Sequence, residues 1–252
     1  MKIAIITGAS SGLGVDFATQ VDRQRADIEE IWLVARRKDR LEELATKISK
    51  KTRVLSLDIT TDEAVETLTR ILEEEKPEIG LLINNAGFGK LGDFTELSAQ
   101  DSKNMIRLNC EALTVFSRVC LPFMKEKSEV INTCSIASFA PNARMAVYSS
   151  TKAYVMSFSR ALRFELKPRK INVLAVCPGP MDTEFLPLAD IGKGDSFTFD
   201  TLPRVNPKKL AKNTLKASKK GKGVYTELAF YKFYRFLAKV LPHSLVMHLC
   251  KT

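Results

Sequence analysis

Cysteine and histidine are scarce in this sequence, and their spacing excludes a disulfide framework and a zinc site. The five cysteines are odd in number, widely separated and never arranged as a C-x-x-C pair. The two histidines, His243 and His248, have no carboxylate or second ligand at a useful spacing, so we expect surface or packing roles for them. These absences predict a chain that binds no metal and works in a reducing compartment.

Long hydrophobic runs are also absent. The first apolar run covers only residues 3–6 before a glycine-rich turn, which is too short for a signal-peptide core. No later stretch approaches the roughly 20 apolar residues of a membrane span, so we expect a cytoplasmic protein. The chain of 252 residues is nevertheless 45% hydrophobic, which is enough to bury a core and excludes a mainly disordered chain.

The C-terminal fifth of the chain has almost no acidic residues. Residues 203–252 contain 12 basic residues and one acidic residue, Glu227, whereas residues 1–202 contain 27 basic and 28 acidic residues. The formal net charge of +10 therefore belongs to the C-terminal segment. That segment lacks an interleaved aromatic platform and any groove-reading motif, so we expect no specific binding of nucleic acid.

Short apolar runs alternate with amphipathic segments along the first 177 residues. The runs are almost continuously apolar, as in parallel strands covered on both faces, and they cover residues 2–7, 30–35, 53–57, 79–84, 129–133 and 171–177. The segments between them have helical periodicity and cover residues 13–24, 37–50, 62–75, 101–127 and 147–167. This order predicts an α/β fold, a Rossmann-like doubly wound parallel sheet flanked by helices.

No linker or internal repeat divides the chain. We therefore expect a single domain over residues 1–227, including a long loop at 179–203 that holds Phe185, Phe197 and Phe199. A loop of this length in a compact domain is typical of a binding loop or lid. We expect residues 228–252 to form an amphipathic helical extension packed on the same domain.

A glycine-rich turn follows the first predicted strand and opens a helix. Its glycines have the spacing G-x-x-x-G-x-G at Gly8, Gly12 and Gly14. Such a turn lets a pyrophosphate approach backbone N–H groups at the positive end of the helix dipole. The turn therefore predicts a dinucleotide site, to which we assign those glycines together with Ser10, Ser11 and Leu13.

Arg36 and Arg37 follow the second predicted strand at the start of a helix. Cations at a helix N-terminus oppose the macrodipole unless they face solvent or an anion. A site specific for NAD usually offers an acidic residue to the ribose here, and this strand ends in Ala35 instead. We expect the two arginines, Arg36 more firmly, to contact a 2′-phosphate, which favours NADP(H) over NAD(H). We interpret the neighbouring Lys38 and Arg40 as solvated surface charges.

Tyr148 and Lys152 are four residues apart on a predicted helix, and Ser135 stands at the end of the fifth strand. The spacing places the phenol and the ammonium on one helical face. An adjacent ammonium favours the phenolate and lowers the phenol pKa toward neutrality. The pair could therefore serve as an acid and base, but a Tyr-x-x-x-Lys motif alone is common by chance, and without further context an exposed Tyr and Lys on a surface helix is the more common case.

Taken together, these motifs are similar to those of the short-chain dehydrogenase/reductases over essentially residues 1–227. The matching pieces occur in the family's order and are Thr7-Gly8-x-x-x-Gly12-x-Gly14, Asp58, Asn84-Asn85-Ala86-Gly87, Asn109, Ser135, Tyr148-x-x-x-Lys152 and Pro178-Gly179. The glycine spacing and the Asn-Asn-Ala-Gly motif resemble the short branch of the family.

The resemblance implies a catalytic role for four residues. Tyr148 would protonate the carbonyl oxygen during reduction and act as the base in the reverse direction. Lys152 would lower the pKa of Tyr148 and hold the nicotinamide ribose hydroxyls. Ser135 would polarise the substrate oxygen, and Asn109 would anchor a water that relays protons from Lys152 to solvent. Hydride would come from the cofactor, so no metal is expected.

The resemblance also implies further contacts with the cofactor. Asp58 would contact the adenine, Asn85, Ala86 and Gly87 would pack along the adenosine, and Thr183 would hold the carboxamide. Pro178 and Gly179 complete the expected cofactor site. We interpret Asn84 as a structural residue and Cys134 as a buried packing residue.

By the same resemblance, the substrate pocket would be lined by residues 88–94, 136–144 and the loop after Gly179. The expected apolar lining consists of Phe88, Leu91, Phe94, Phe139, Met145, Phe185 and Leu186. Such a lining favours a largely apolar ketone, aldehyde or secondary alcohol. Lys90 and Arg144 are candidates to meet an anionic group at the mouth, although single exposed cations are more often surface charges.

The leading interpretation is an NADP(H)-dependent oxidoreductase, and the alternative is a catalytically silent NADP(H)-binding sensor or scaffold. The intact set of Ser135, Tyr148, Lys152 and Asn109 favours the enzyme. The family commonly pairs its two longest helices, so we expect a homodimer or homotetramer.

The C-terminal extension carries Lys232, Arg235 and Lys239 on an otherwise apolar helix. We expect this helix to close the pocket or to pack at a subunit interface. Peripheral contact with an anionic membrane, helped by the lysine-rich helix at 208–222, is the alternative.

Overall fold

A computed structural model describes residues 1–192 and 197–249 of the chain. They form a seven-stranded parallel sheet with the order β3-β2-β1-β4-β5-β6-β7. The strands are β1 (Lys2–Thr7), β2 (Glu30–Ala35), β3 (Lys51–Ser56), β4 (Glu78–Asn84), β5 (Glu129–Thr133), β6 (Asn172–Val176) and β7 (Val224–Tyr225). The order reverses direction between β1 and β4, which is the switch point where doubly wound sheets bind ligands.

Helices cover both faces of the sheet. They are α1 (Gly12–Gln24), α2 (Lys38–Ala45), α3 (Asp62–Glu75), α4 (Ala99–Ile106), α5 (Leu113–Cys120), α6 (Ala146–Glu165), α7 (Phe185–Leu188), α8 (Phe197–Thr201), α9 (Pro207–Lys219), α10 (Ala229–Val240) and α11 (His243–Leu249). The predicted Rossmann-like fold is confirmed. The side chains of Phe197 and His248, both singled out above, lie outside the described residues, as does Cys250.

Alternate residues of the central strands build two separate core layers, because successive side chains of a strand point to opposite faces. On β1, Ala4 and Ile6 pack with α1, α2 and α9. Ile3 and Ile5 pack on the other face with α3, α5 and α6. All four residues are fully buried. The ends of the central strands, which carry the site, are therefore fixed by close packing on both faces of the sheet.

The helix predicted over residues 101–127 is interrupted in the structure. A π-helical turn, Arg107–Ala112, separates α4 from α5, and a 3-10 turn at Leu121–Phe123 ends the segment. Pro122 explains that end, because proline cannot donate the next helical hydrogen bond. π-helical turns are rare and often mark functional positions, and this one carries Asn109.

The structure differs from the predicted elements in two further places, the short strand β7 and the end of the second helix. The helix predicted over residues 37–50 ends at Ala45, and the strand predicted from residue 53 begins at Lys51. In β7, Val224 and Tyr225 pair with β6, but a strand of two residues has no periodicity to detect. Among the described residues, no helix is both long enough and apolar enough to cross a lipid bilayer.

Candidate functional site

A cleft of about 1170 Å³ opens at the carboxyl ends of the central strands. The predicted site residues on its wall are Gly8, Ser10, Ser11, Gly12, Leu13, Arg36, Arg37, Asp58, Asn85, Ala86, Gly87, Ser135, Tyr148, Lys152, Pro178, Gly179 and Thr183. The parallel sheet brings them together because the carboxyl ends of its strands share one edge. Gly14 and Asn109 were predicted with them but do not line the cleft.

The glycine-rich turn between β1 and α1 has a left-handed backbone at Gly8 and Gly12, with φ values of 67° and 51°. Only glycine adopts such angles without strain. A Cβ atom at Gly14 would stand 2.0 Å from the Gly8 carbonyl oxygen. Gly14 therefore lets α1 pack closely against the turn, and its predicted contact with the cofactor stays a prediction.

Hydrogen bonds from β4 hold this turn in place. The Thr7 hydroxyl accepts hydrogen bonds from the N–H groups of Asn85 at 3.0 Å and Ala86 at 3.1 Å. The Asn85 amide donates to the carbonyl oxygens of Thr7 at 3.2 Å and Gly8 at 3.3 Å. Asn85 thus binds the glycine-rich turn to the neighbouring strand end, and its side chain supports the site from within the protein.

The two arginines after β2 have different surroundings. Arg37 donates to the Ser10 hydroxyl at 3.2 Å and 3.3 Å and pairs with Glu184 at 3.0 Å. Arg36 is 77% exposed and lies 3.8 Å from the Asp58 carboxylate. Arg37 is therefore held beside the glycine-rich turn, whereas Arg36 is mostly exposed and has a longer contact with Asp58. The more firmly held of the two is thus Arg37, although the sequence favours Arg36 as the phosphate contact.

Ser135, at the end of β5, and Tyr148, on α6, both line the cleft wall. Both side chains are buried. Burial raises the pKa of the Tyr148 phenol above its usual value, and the nearby Ser135 hydroxyl lowers that pKa by less. This direction differs from the expectation that Lys152 lowers the phenol pKa.

Lys152 is held at the end of β5. Its ammonium donates to the Thr133 carbonyl oxygen at 2.9 Å and lies 5.7 Å from the centre of the Tyr148 ring, over the ring face. Burial also lowers the pKa of Lys152, since the charged form loses hydration. The ammonium is thus held by the strand end, on the same side of the cleft as the phenol.

Asn109 lies behind the wall, in the π-helical turn, and is 1% exposed. Its amide oxygen accepts a hydrogen bond from the Phe88 N–H at 3.1 Å, and its amide nitrogen donates to the Phe88 carbonyl at 2.8 Å. The same nitrogen donates to the Thr151 hydroxyl at 3.0 Å. Asn109 therefore positions the segment after β4, and its predicted role in a proton relay stays a prediction.

Asn84 and Cys134, which we interpret as structural residues, both form buried hydrogen bonds within the protein. Asn84 donates to the Ser117 hydroxyl and to the Asn132 amide oxygen, both at 2.9 Å. The Cys134 thiol is buried and donates to the Lys152 carbonyl oxygen at 3.1 Å. Both side chains join neighbouring elements of the fold; Asn84 does not line the cleft, and Cys134 does.

The predicted substrate lining is partly wrong. Phe88, Met145, Phe185 and Leu186 line the cleft, as does Lys90, which forms an ion pair with Asp190. The predicted members that do not line it are Leu91, Phe94, Phe139 and Arg144.

Each of the three misplaced apolar side chains has another environment. Phe94 is 64% exposed on the surface. Leu91 is buried beside Tyr148, and the Phe139 ring packs against the Tyr234 ring with centroids 5.8 Å apart. A family pattern locates the segment correctly, but loop geometry decides which side chains face the cleft.

Several functional residues were missed because they act through contacts between distant parts of the chain. A Cβ at Gly89 would stand 2.6 Å from the Tyr148 ring, so glycine lets that loop pass over the phenol. A Cβ at Gly179 would stand 2.3 Å from the Tyr231 ring. The cleft residues that lie outside the predicted segments include Asn104, Arg107, Phe230, Tyr231 and Tyr234. Phe230, Tyr231 and Tyr234 lie on α10, and the expectation that the C-terminal helix closes the pocket was the sequence evidence that pointed to them.

The cleft thus combines a turn shaped for a pyrophosphate, two arginines beside it, and a buried phenol, hydroxyl and ammonium. The residues present fit a dinucleotide, because the backbone at Gly8 and Gly12 leaves the turn open to the cleft. Within residues 1–192 and 197–249, no group of three or more His, Cys, Asp and Glu side chains is placed to hold a metal ion.

Comparison with known proteins agrees with this architecture. An uncharacterized oxidoreductase of Staphylococcus aureus is 31% identical over 185 residues, which are 72% of this chain and 79% of that protein. A short-chain dehydrogenase from Sphingobium yanoikuyae, solved in complex with NADPH, is 29% identical with a TM-score of 0.77, covering 96% of this chain and 97% of that one.

Two further solved structures are similar. A bulky-bulky ketone specific alcohol dehydrogenase from Comamonas testosteroni is 27% identical with a TM-score of 0.74 and coverage of 96% and 95%. A 3-ketoacyl-(acyl-carrier-protein) reductase from Brucella melitensis, complexed with NADH, is 25% identical with a TM-score of 0.76 and coverage of 88% and 94%. The family model for short chain dehydrogenases matches residues 2–190. The chain therefore belongs to the short-chain dehydrogenase/reductase family of oxidoreductases.

Proposed function

We propose that this protein is an NADP(H)-dependent oxidoreductase that interconverts a largely apolar ketone or aldehyde and the corresponding alcohol. One observation carries the proposal. The Tyr148 phenol, the Ser135 hydroxyl and the Lys152 ammonium lie on the wall of the same cleft as the glycine-rich turn. The proposed dinucleotide site and the proposed acid-base residues are therefore in the same cleft.

The proton-transfer roles follow from the contacts of these side chains. A carbonyl oxygen placed between Ser135 and Tyr148 would accept a hydrogen bond from each, and the phenol would then give it a proton. The raised pKa of Tyr148 keeps the phenol protonated at neutral pH, which suits an acid in the reducing direction. Lys152 holds a positive charge near the ring. A bound nicotinamide cofactor supplies the hydride.

The preference for NADP(H) rests on Arg36 and Arg37, because a 2′-phosphate is an anion that guanidinium groups bind by charge-assisted hydrogen bonds. Arg37 is held beside Ser10 of the turn. No carboxylate follows β2 directly, since the strand ends at Ala35. The similar Sphingobium protein was solved with NADPH and the Brucella protein with NADH, so these two arginines, more than the family, support the preference.

The substrate class rests on the side chains around Tyr148. The Phe185 ring lies 5.8 Å from the Tyr148 ring, and Phe88, Met145 and Leu186 line the same part of the cleft. Apolar linings bind apolar ligands. The similar Comamonas enzyme is described as specific for bulky ketones, which supports testing aromatic and branched ketones first.

The direct test is the oxidation of NADPH by the purified protein in the presence of a panel of apolar ketones and aldehydes. We expect turnover that the variant Tyr148→Phe loses while it still binds NADPH. If the variant turned over as fast as the natural protein, Tyr148 would not be the acid. If no carbonyl gave turnover while NADPH bound, the alternative of a silent sensor or scaffold would replace the enzyme.

We also propose that the protein is a homodimer or homotetramer paired through α5 and α6. Two aromatic side chains on α6 support this proposal, since Phe164 is 79% exposed and Tyr154 is 43% exposed. We also propose a cytoplasmic, reducing compartment, because the five cysteines are odd in number and widely spaced. Analytical ultracentrifugation of Phe164→Asp tests the pairing, and a larger proportion of monomer is expected.

A further inference from the structure

The C-terminal helix α10 is fixed to the catalytic domain by one of its faces. Tyr231 is fully buried against Gly179, and its hydroxyl donates to the Pro203 carbonyl oxygen at 2.7 Å. Tyr234 contacts Phe139, and Ala238 is buried beside Val246 of α11. Tyr231, Tyr234 and Ala238 recur at steps of three and four, so they form one stripe along the helix. We call it the inner stripe.

A second stripe on the same helix is apolar and exposed. Phe233, Phe236 and Val240 also recur at steps of three and four, and they are 60%, 59% and 55% exposed. On α11, Leu245 and Met247 are exposed as well. Adjacent large apolar side chains in solvent are unusual for a protein surface and mark an interaction site. We call Phe233, Phe236 and Val240 the outer stripe.

A third stripe lies between the inner and outer stripes and is cationic. It consists of Lys232, Arg235 and Lys239, all exposed. In the part of the chain that the structure describes, none of the three forms an ion pair with a carboxylate. The one acidic residue of this segment, Glu227, is bound internally by Asn213, Tyr225 and Lys209.

We propose that the outer stripe and the cationic stripe form a peripheral docking surface for a membrane that contains anionic lipids. An exposed apolar face bordered by lysine and arginine is the pattern of a helix that lies in the lipid interface. The cations complement acidic headgroups, and the aromatic side chains enter the acyl boundary. A second copy of the chain fits less well, because self-pairing would bring two such cationic stripes together.

Docking in this orientation places the cleft at the membrane surface. Phe230 lines the cleft and is 52% exposed, so it lies at the rim between the cleft and the exposed part of α10. An apolar carbonyl compound dissolved in the bilayer would then be close to the mouth. This consequence rests on the proposed function, whereas the docking itself does not require any catalysis.

Vesicle co-sedimentation tests the proposal directly. The full chain is mixed with phosphatidylcholine vesicles that contain or lack phosphatidylglycerol, at ~0.05 M and ~0.5 M salt. We expect binding to the anionic vesicles at low salt, a clear loss of binding at high salt, and little binding to phosphatidylcholine alone. Absence of binding to anionic vesicles at low salt would overturn the proposal.

Variants distinguish binding through this surface from attraction by the net positive charge of the protein. K232Q/R235Q/K239Q and F233S/F236S/V240S should each lower the vesicle partition coefficient about tenfold or more. The matched control K76Q/K103Q/K167Q removes three exposed cations elsewhere and should bind like the natural protein. NADPH binding and thermal melting verify that each variant is folded, and they also separate a failure of docking from a failure of the proposed function.

Two results would assign the surface differently. If the control variant lost as much binding as K232Q/R235Q/K239Q, net charge alone would explain the attraction. If F233S/F236S/V240S changed the sedimentation coefficient from an oligomer to a monomer in the absence of vesicles, the outer stripe would be a subunit interface. Either result overturns membrane docking through this surface.

Discussion

Two sides of the cleft are built in different ways. The floor consists of residues 7–14, 85–87 and 133–135 at the ends of β1, β4 and β5. Hydrogen bonds such as those from the Asn85 and Ala86 N–H groups to the Thr7 hydroxyl hold it together. The cover consists of the described residues of the loop after Gly179 together with α10, and aromatic packing such as that of Tyr231 holds it. The floor is suited to a constant cofactor, and the cover is suited to a substrate that differs between relatives.

The largest effect is expected in the floor, at Gly14. In Gly14→Ala the added methyl would overlap the Gly8 carbonyl, since a Cβ would lie 2.0 Å from its oxygen. We expect the free energy of unfolding to fall by about 3 kcal/mol and NADPH affinity to fall with it. Urea denaturation and NADPH fluorescence measure the two changes.

Gly221→Ala is the matched control, because a Cβ there has nothing within 4 Å and φ is +70°. It should cost about 1 kcal/mol from backbone strain alone. Equal losses in the two variants would show that close packing at the floor is not what Gly14 provides.

The second prediction concerns the phenol between floor and cover. Because the pKa of Tyr148 is raised, the protonated acid persists at alkaline pH. The kcat/KM for reduction should therefore stay flat between about pH 6 and pH 9, whereas the reverse reaction, which needs the phenolate, should rise about tenfold per pH unit. Initial rates in both directions measure this. If the oxidation rate instead stopped rising before about pH 8, the phenol pKa in the working enzyme would be near neutral, as expected if Lys152 lowers it.

The third prediction separates the cofactor phosphate from the rest of the floor. Removing Arg37 or Arg36 deletes charged donors near the turn, so Arg37→Ala and Arg36→Ala should each weaken NADPH binding about 10-fold to 100-fold. NADH binding should not change. Arg40→Ala, an exposed arginine of α2 away from the cleft, is the control. Isothermal titration measures all three, and equal weakening of NADH binding would exclude recognition of a 2′-phosphate.

The smallest effect is expected in the cover, at Phe185. Its ring packs 5.8 Å from the Tyr148 ring, so Phe185→Ala should change the ratio of kcat/KM between a bulky and a small ketone about tenfold. NADPH affinity should stay the same. The exposed Phe94 provides the control variant Phe94→Ala. If Phe185→Ala weakened NADPH binding without changing selectivity, the division between floor and cover would be wrong.

The same division explains how far the sequence was informative. Gly8 and Gly12 were predictable because a backbone conformation that only glycine tolerates leaves a local pattern. The strands were predictable because burial on both faces makes them continuously apolar. The Rossmann-like sheet followed from that order, and the family resemblance implied that Ser135, Tyr148 and Lys152 share one site.

The cover was less predictable because its contacts join residues far apart in the chain. Tyr231 packs on Gly179, and no local periodicity indicates that pair. The π-helical turn that holds Asn109 interrupts a segment with ordinary helical periodicity. Phe94 was misplaced because an apolar side chain in a loop can face the cleft or the solvent with the same sequence pattern.

The most direct test of the account follows the hydrogen itself. The protein is incubated with an apolar ketone from the active panel and NADPH that carries deuterium at both C4 positions of the nicotinamide, and the alcohol is analysed by mass spectrometry. We predict one deuterium on the carbinol carbon with the natural protein and no alcohol above background with Tyr148→Phe. NADPH consumption that yields no deuterated alcohol, or equal yields from both proteins, would contradict hydride transfer assisted by Tyr148.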